Sequence, residues 1–387
     1  MTRRGSPRVL VANWFWRSLQ HEGAGNLLLS LGAAMRDAGW SVSLLFPDGD
    51  YPPQEDIDII MYRRGVGGIA SYLAAVRRCS AEADAVLLFE NNPNMAFVAM
   101  MSQRPDSTLC YFFTPLQRLQ ALLESGMSAQ SLVHAAAKNS VWSRLERWRG
   151  LRCIVQTQFQ AEQLQRFGPA EVHVVPGCSF ARAHVMPSRA SARRTLGWDD
   201  SAVVGYLGHY SRAKGVEGLV HAMSQLPYGI LALAHSGKGR LKAETETELQ
   251  KLRQAGRVRE LGITDRATFL AACDVVALPY VTSSIHHIPQ VLLESLAAAT
   301  PVITTDVGGI RDVFDAGPVG WLVSPREGRA LRAAIEEAVA GPPVCHDRGM
   351  TGRRLFESRW CMEAFSARLM ELVAGVLPVG TDGRSGL

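Results

Sequence analysis

Residues His286–Val313 read HHIPQVLLESLAAATPVITTDVGGIRDV, and this stretch decides the fold class. Just upstream, Val275–Leu278 is a short apolar run that stops at Pro279. A helix is expected to start near Pro289, because proline lacks an amide hydrogen that would go unpaired in a first helical turn. Val302–Thr305 is then a second short, β-branched-rich run. Strand, helix and strand in succession are the repeating unit of a parallel α/β sheet.

The same alternation extends outward through the chain. Arg8–Asn13 reads as a first buried strand, followed by a glycine-bearing loop at Glu22–Asn26. Leu27, Leu28, Leu31, Ala34, Met35 and Ala38 then share one helical face, and Gly39 is placed to end that helix. Strands are expected at Ser41–Phe46, Ile57–Tyr62, Val86–Phe89, Leu109–Phe113, Cys153–Gln156 and Val172–Val175. Pro176-Gly177 and a polar stretch, Ser179–Arg194, interrupt the pattern. It restarts at Val203–Leu207 and continues at Ile230–Ala234, Val258–Leu261, Val275–Leu278, Val302–Thr305 and Trp321–Val323. Two such series predict an α/β protein of two Rossmann-like, doubly wound domains facing a central cleft, each of ordinary size. The expected divisions are 1–178, 179–357, a closing helix within 358–377 and a disordered tail over 378–387.

Two segments carry chemistry. In Val203–Val216 (VVGYLGHYSRAKGV) a buried strand runs into Gly208, then a polar loop with Arg212 and Lys214, then Gly215 and a helix. Open α/β sheets bind ligands beyond the carboxyl ends of their strands, and cations there neutralise a diphosphate and stabilise it as a leaving group. In the opening stretch, the free amides near Gln290 and Val291 face an anion with the helix dipole behind them. Glu294, one turn further in, is placed to accept two ribose hydroxyls. Taken alone, Glu294 also reads as a surface cap or ion-pair partner, and Arg212–Lys214 as a solvated basic loop.

Together the two segments resemble the carboxyl-terminal domain of retaining family 4 glycosyltransferases, whose fold is GT-B. Lys214-Gly215 matches the family's lysine–glycine element at the correct distance from Gly208, and Glu294 with Ser295–Ala298, Pro301-Val302 and Asp306–Gly309 matches the region of its second glutamate. Val258–Asp265 with Ala271–Pro279 resembles the family's segment beside the nucleotide base, Ile154–Phe167 with Val174–Gly177 the end of its first domain, and Arg359–Leu377 its closing helix. The resemblance implies transfer of a sugar from a nucleotide diphosphate sugar to an acceptor hydroxyl, with retention of anomeric configuration and without a metal or other cofactor. It implies a donor site formed by Gly208, Arg212, Lys214, Gln290 and Val291 at the diphosphate and by Glu294 at the ribose, and an acceptor held in the first domain. The loop containing Gly23, Ala24 and Gly25 would approach the donor phosphates. The sequence departs from the family pattern at three places. His286 stands eight positions before Glu294, where the family has a sugar-binding glutamate, so His286 is the candidate donor-sugar residue; His209 replaces the arginine after Gly208; and Tyr111–Pro115 lacks a histidine near the reacting carbon. No single residue is singled out as catalytic.

Composition sets the outer bounds. In 387 residues, 47% are hydrophobic and 20% charged, the profile of a globular chain. The net charge of +5 suits a polyanionic ligand, with no signature of nucleic-acid binding. Seven dispersed cysteines without a CxxC pair point to a reducing cytoplasm rather than to disulfides or zinc. No window resembles a spanning helix, so a cytoplasmic protein with room for peripheral contact at the inner membrane face is expected. Gly65–Ala70 satisfies GxGxxA but reads better as a loop and helix start, and Lys138–Arg149, with Trp142 and Trp148, reads better as a helix facing a core than as a membrane-surface helix. Two other functions stay open from sequence: a GT-B nucleotide-sugar epimerase and a non-catalytic nucleotide-sugar-binding protein.

Overall fold

Short runs such as Val9–Ala12, Leu44–Phe46, Val275–Leu278 and Val302–Thr305 are fully buried, and strands apolar on both sides need helices on both faces. In the computed structural model these runs assemble into two all-parallel sheets. The structure describes residues 6–13, 23–49, 51, 54–63, 68–90, 105–112, 152–165, 171–235, 239–282 and 287–377. His286, Glu22, Gly65–Gly67, Phe113–Pro115, Lys138–Arg149 and the tail 378–387 lie outside them.

The first sheet contains β1 (Arg8–Asn13), β2 (Ser41–Pro47), β3 (Ile57–Tyr62), β4 (Ala85–Glu90), β5 (Thr108–Phe112), β6 (Arg152–Val155) and β7 (Glu171–Val174). Their order is β3-β2-β1-β4-β5-β6-β7, and every pair is parallel. The second contains β8 (Val203–Leu207), β9 (Ile230–Ala234), β10 (Val258–Glu260), β11 (Val275–Leu278), β12 (Val302–Thr305) and β13 (Gly320–Val323). Its order is β10-β9-β8-β11-β12-β13, again parallel throughout. Both sheets are doubly wound, with the order reversing between β1 and β4 and between β8 and β11. The expected α/β class therefore holds.

One local expectation needs correction. The glycine-bearing segment Gly23–Gly25 is the first turn of the Gly23–Asp37 helix, not a loop. Glycine costs a helix interior only about 1 kcal/mol relative to alanine, and Leu27, Leu28, Leu31 and Met35, all buried against the first sheet, extend the helix upstream. Its end is as expected: Trp40 N–H reaches Met35 O at 3.1 Å and Gly39 N–H reaches Arg36 O at 2.7 Å, which satisfies two terminal carbonyls. Within and beyond the polar stretch after Pro176-Gly177, Arg189–Leu196 is a helix capped by Ser188, whose hydroxyl accepts from Ser191 N–H at 3.2 Å. Its Arg193 is buried and bonds the Asp274 carboxylate at 2.7 Å.

The chain passes between the sheets twice. Ser179 N–H donates to Trp360 O at 2.9 Å, so the outgoing and returning segments touch. Past Trp360 the Met362–Ala374 helix buries Phe365, Leu369 and Val373 in the core of the first sheet. Phe365 meets the Tyr111 ring edge-on, with centroids 5.7 Å apart. This apolar face holds the helix, so Phe365→Ala is expected to cost about 3–5 kcal/mol, as for a buried phenylalanine. Urea unfolding followed by circular dichroism measures this, and a loss below about 1 kcal/mol would mean that the helix is not anchored there.

Candidate functional site

The crevice at the carboxyl ends of β8 and β11 forms where their helices leave the sheet on opposite faces. After β8, Gly208 is followed by a single 3-10 turn, Arg212–Lys214, and by Gly215 at φ 67° at the start of the Val216–Ser224 helix. Val281 N–H donates to Ala213 O at 3.0 Å, stitching the turn to the exit of β11. At Gly215 the backbone is so close to β11 that any Cβ would collide with the Pro279 carbonyl oxygen. Only glycine meets both the positive φ and the close approach. The turn folds the Lys214 side chain back over Gly208, where a Cβ would stand 2.9 Å from the lysine Nζ.

On the other side of the crevice, the Gln290–Ala297 helix begins one residue later than expected. Pro289 is its N-cap, with φ −61° and ψ 136°, and its carbonyl accepts from Leu292 at 3.0 Å and Leu293 at 3.2 Å. The proline ring fixes φ but leaves ψ extended, so the residue caps the helix instead of entering it. Intrahelical bonding starts at Leu292, leaving the amides of Gln290 and Val291 at the helix mouth. The Gln290 side chain turns elsewhere, its Nε2 donating to Cys178 O at 2.9 Å.

Between these walls lies a cavity of about 330 Å³, with Gly208, His209, Lys214, His235, Arg266 and Val291 among its lining. Gly208, Lys214 and Val291 are thus brought together as the sequence suggested. Arg212, exposed on the 3-10 turn, and Gln290 do not line the cavity. Gly23, Ala24 and Gly25 belong to the first sheet's helix, and His286 lies outside the described residues. Lys214 has no acidic partner among the described residues. Burial, and then the charge of Arg266, hold its ammonium below the ordinary lysine value.

Sequence reasoning missed Arg266. It opens the Arg266–Ala272 helix and forms an ion pair with Glu294. One sequence signal was available: a cation at a helix N-terminus opposes the helix dipole, so it needs an anion nearby. Glu294 itself is mostly buried, with 14% of its side chain exposed. Burial raises its carboxyl to about 6, and the Arg266 charge only partly offsets this.

A second cavity of about 500 Å³ opens between the sheets, lined from the first by Gln158 and Glu162 and from the second by Asp306, Arg311 and Asp312. There Gln158 N–H donates to the Asp312 carboxylate at 2.6 Å. Among the described residues there is no cluster of three metal-ligating side chains and no helix long and apolar enough to cross a membrane.

Two doubly wound parallel sheets, each with a crevice where its strand order reverses, are the GT-B architecture. Residues 188–355 match the family profile described as glycosyl transferases group 1. The lipopolysaccharide core biosynthesis glycosyltransferase LpsE of Rhizobium meliloti is 30% identical over 240 residues, covering 60% of this chain and 67% of that protein. The D-inositol 3-phosphate glycosyltransferase of Mycolicibacterium gilvum is 32% identical over 216 residues, 51% of this chain and 46% of its own. The chain spans about half the length of the curated relatives it matches first. Sucrose-phosphate synthase from Thermosynechococcus elongatus superposes with a TM-score of 0.73 at 20% identity, over 95% of this chain and 99% of that one. Anabaena HepE in complex with UDP-glucose superposes with a TM-score of 0.64 at 20% identity, over 95% and 99%. The chain belongs to the glycosyl transferases group 1 family, of the family 4 type.

The Glu294 environment makes a pH prediction. Its folded value, about 6, lies above the ordinary 4.5, so protonation favours the fold. The contribution is fully present below about pH 4.5 and is lost as pH rises through about 6, amounting to roughly 2 kcal/mol at 1.36 kcal/mol per unit. Glu294→Gln should remove this step. Unfolding free energies from urea titrations at pH 4.5 to 7.5 should show the difference between the two proteins change by that amount as pH rises, whereas parallel curves would place Glu294 in a solvated setting.

Proposed function

We propose that this chain transfers a sugar from a nucleotide diphosphate sugar to an acceptor hydroxyl, retaining the anomeric configuration. The observation that carries this reading is the position of Lys214. Its ammonium, without an acidic partner among the described residues, is folded over Gly208 at the strand end and shares one cavity with Val291, whose amide opens the facing helix with that of Gln290. That arrangement suits a diphosphate, and Glu294, ion-paired with the cavity-lining Arg266, is the residue that would read the ribose. The UDP-glucose bound by HepE supports a nucleotide sugar as donor.

In this reading the Lys214 ammonium and the two amides stabilise charge that builds on the diphosphate as the glycosidic bond breaks. The site already points at the place where charge develops, so little reorganisation is needed. Cations and helix amides take over the part a divalent metal plays in other transferases, so the reaction needs no metal or other cofactor. Arg212, at the rim, adds to the field that draws the donor in. The acceptor enters from the first-sheet side of the cleft, and His286 contributes to reading the donor sugar.

Thermal stabilisation by a panel of nucleotide sugars, followed by transfer assays with and without acceptor, tests the reading. Turnover of donor to an isomer without acceptor would instead make the chain an epimerase, and binding with no turnover of any donor would make it a binding protein. Lys214→Ala should weaken the nucleoside diphosphate by about 1.5–3 kcal/mol, the range for a hydrogen bond to a charged group, with little change in stability. Unchanged affinity in calorimetry would take Lys214 out of the site.

A further inference from the structure

Arg266 lines the cavity just assigned to the donor and is ion-paired with Glu294, which stands behind that lining. A carboxylate occupied by a guanidinium is a poorer acceptor for ribose hydroxyls than a free one. We propose that Arg266 keeps Glu294 occupied until a diphosphate draws the guanidinium away, so that this site reads ribose only when a diphosphate is attached to it. This inference rests on the cavity being the donor site.

Four observations support it. The two partners differ in freedom: the Glu294 side chain is 14% exposed and that of Arg266 51%, so the carboxylate is seated and the guanidinium is the part that moves. Arg266 has no other acidic partner among the described residues. Its helix does not hold it, because the N-cap role belongs to Asp265, which accepts from Thr268 N–H at 2.7 Å, and the dipole repels a cation at that end. Finally, Arg266 and Lys214 line one cavity and lie near enough for the arginine charge to depress the lysine ammonium.

The charge count gives the direction of the switch. Two cations face one carboxylate, leaving a net positive site that a diphosphate neutralises better than Glu294 alone. A guanidinium fork matches phosphate oxygens with two parallel hydrogen bonds. Once Arg266 has moved, the buried carboxylate regains its full acceptor capacity for two hydroxyls. Diphosphate and nucleoside are then positively coupled, and the coupling must be reciprocal.

Calorimetry at pH 8, where Glu294 is ionised, tests this with UDP, GDP, ADP and TDP, their nucleosides, and inorganic pyrophosphate. In the wild type, saturating pyrophosphate should tighten the matching nucleoside several-fold. In Arg266→Gln the nucleoside diphosphate should weaken about tenfold or more, the bare nucleoside should bind more tightly than to wild type, and pyrophosphate should no longer affect it. A melting curve on the variant establishes that it is folded. If Arg266→Gln weakens diphosphate but leaves the nucleoside unchanged, Arg266 is an ordinary phosphate contact and the proposal is wrong. Equal losses for both ligands would make it a structural brace and overturn the proposal as well. If wild type binds none of the nucleoside diphosphates, the donor-site reading itself fails, a result distinct from either of these.

Discussion

A single carbonyl oxygen sets the geometry on which the site depends. Pro279 O occupies the space where any side chain at 215 would stand, so the chain after β8 can approach β11 only through glycine. That approach allows Val281 to hydrogen-bond Ala213, and the stitched turn in turn fixes the base of Lys214. Without it, the ammonium would sit on a free loop and its position over Gly208 would cost side-chain entropy. Backbone packing between neighbouring strands thus places the cation, while burial and the charge of Arg266 set its proton affinity.

The same economy governs Glu294. A partly buried carboxylate pays a desolvation cost that its ion pair offsets only in part, as the elevation of its carboxyl to about 6 indicates. Stability alone gives no reason to keep such a group. Its neighbours Leu292, Leu293, Leu296 and Ala297 are buried and anchor the helix without it. The proposed part of Glu294 in ligand recognition gives such a group a role that folding does not.

Much of this architecture was legible in the sequence, and unevenly so. Four strands of the second sheet, Val203–Leu207, Ile230–Ala234, Val275–Leu278 and Val302–Thr305, have the bounds their apolar runs suggested. Each is buried on both sides, and hydrophobicity alone marks its ends. In the first sheet β6 and β7 each begin one residue early because Arg152 and Glu171 are ladder partners joined by an ion pair at 3.0 Å, a cross-strand contact that no local pattern reveals. Gly23–Gly25 were misread because composition suggested a loop where packing imposes a helix. In the site, Lys214, Gly208 and Val291 could be found because they follow strand–glycine–helix grammar. Arg266 offered only the signal of a cation at a helix N-terminus, since its partner is a carboxylate 28 positions away that only the tertiary fold brings near.

The two crossings between the sheets have a mechanical consequence. Segments joined at one point can pivot in any direction, but these are also fastened to each other where Ser179 meets Trp360. Two strands bound side by side act as a hinge pin, and motion about a pin is confined to one arc. The Gln158–Asp312 bond is a further link from the first sheet to the second, and opening the cleft at that point has to break it.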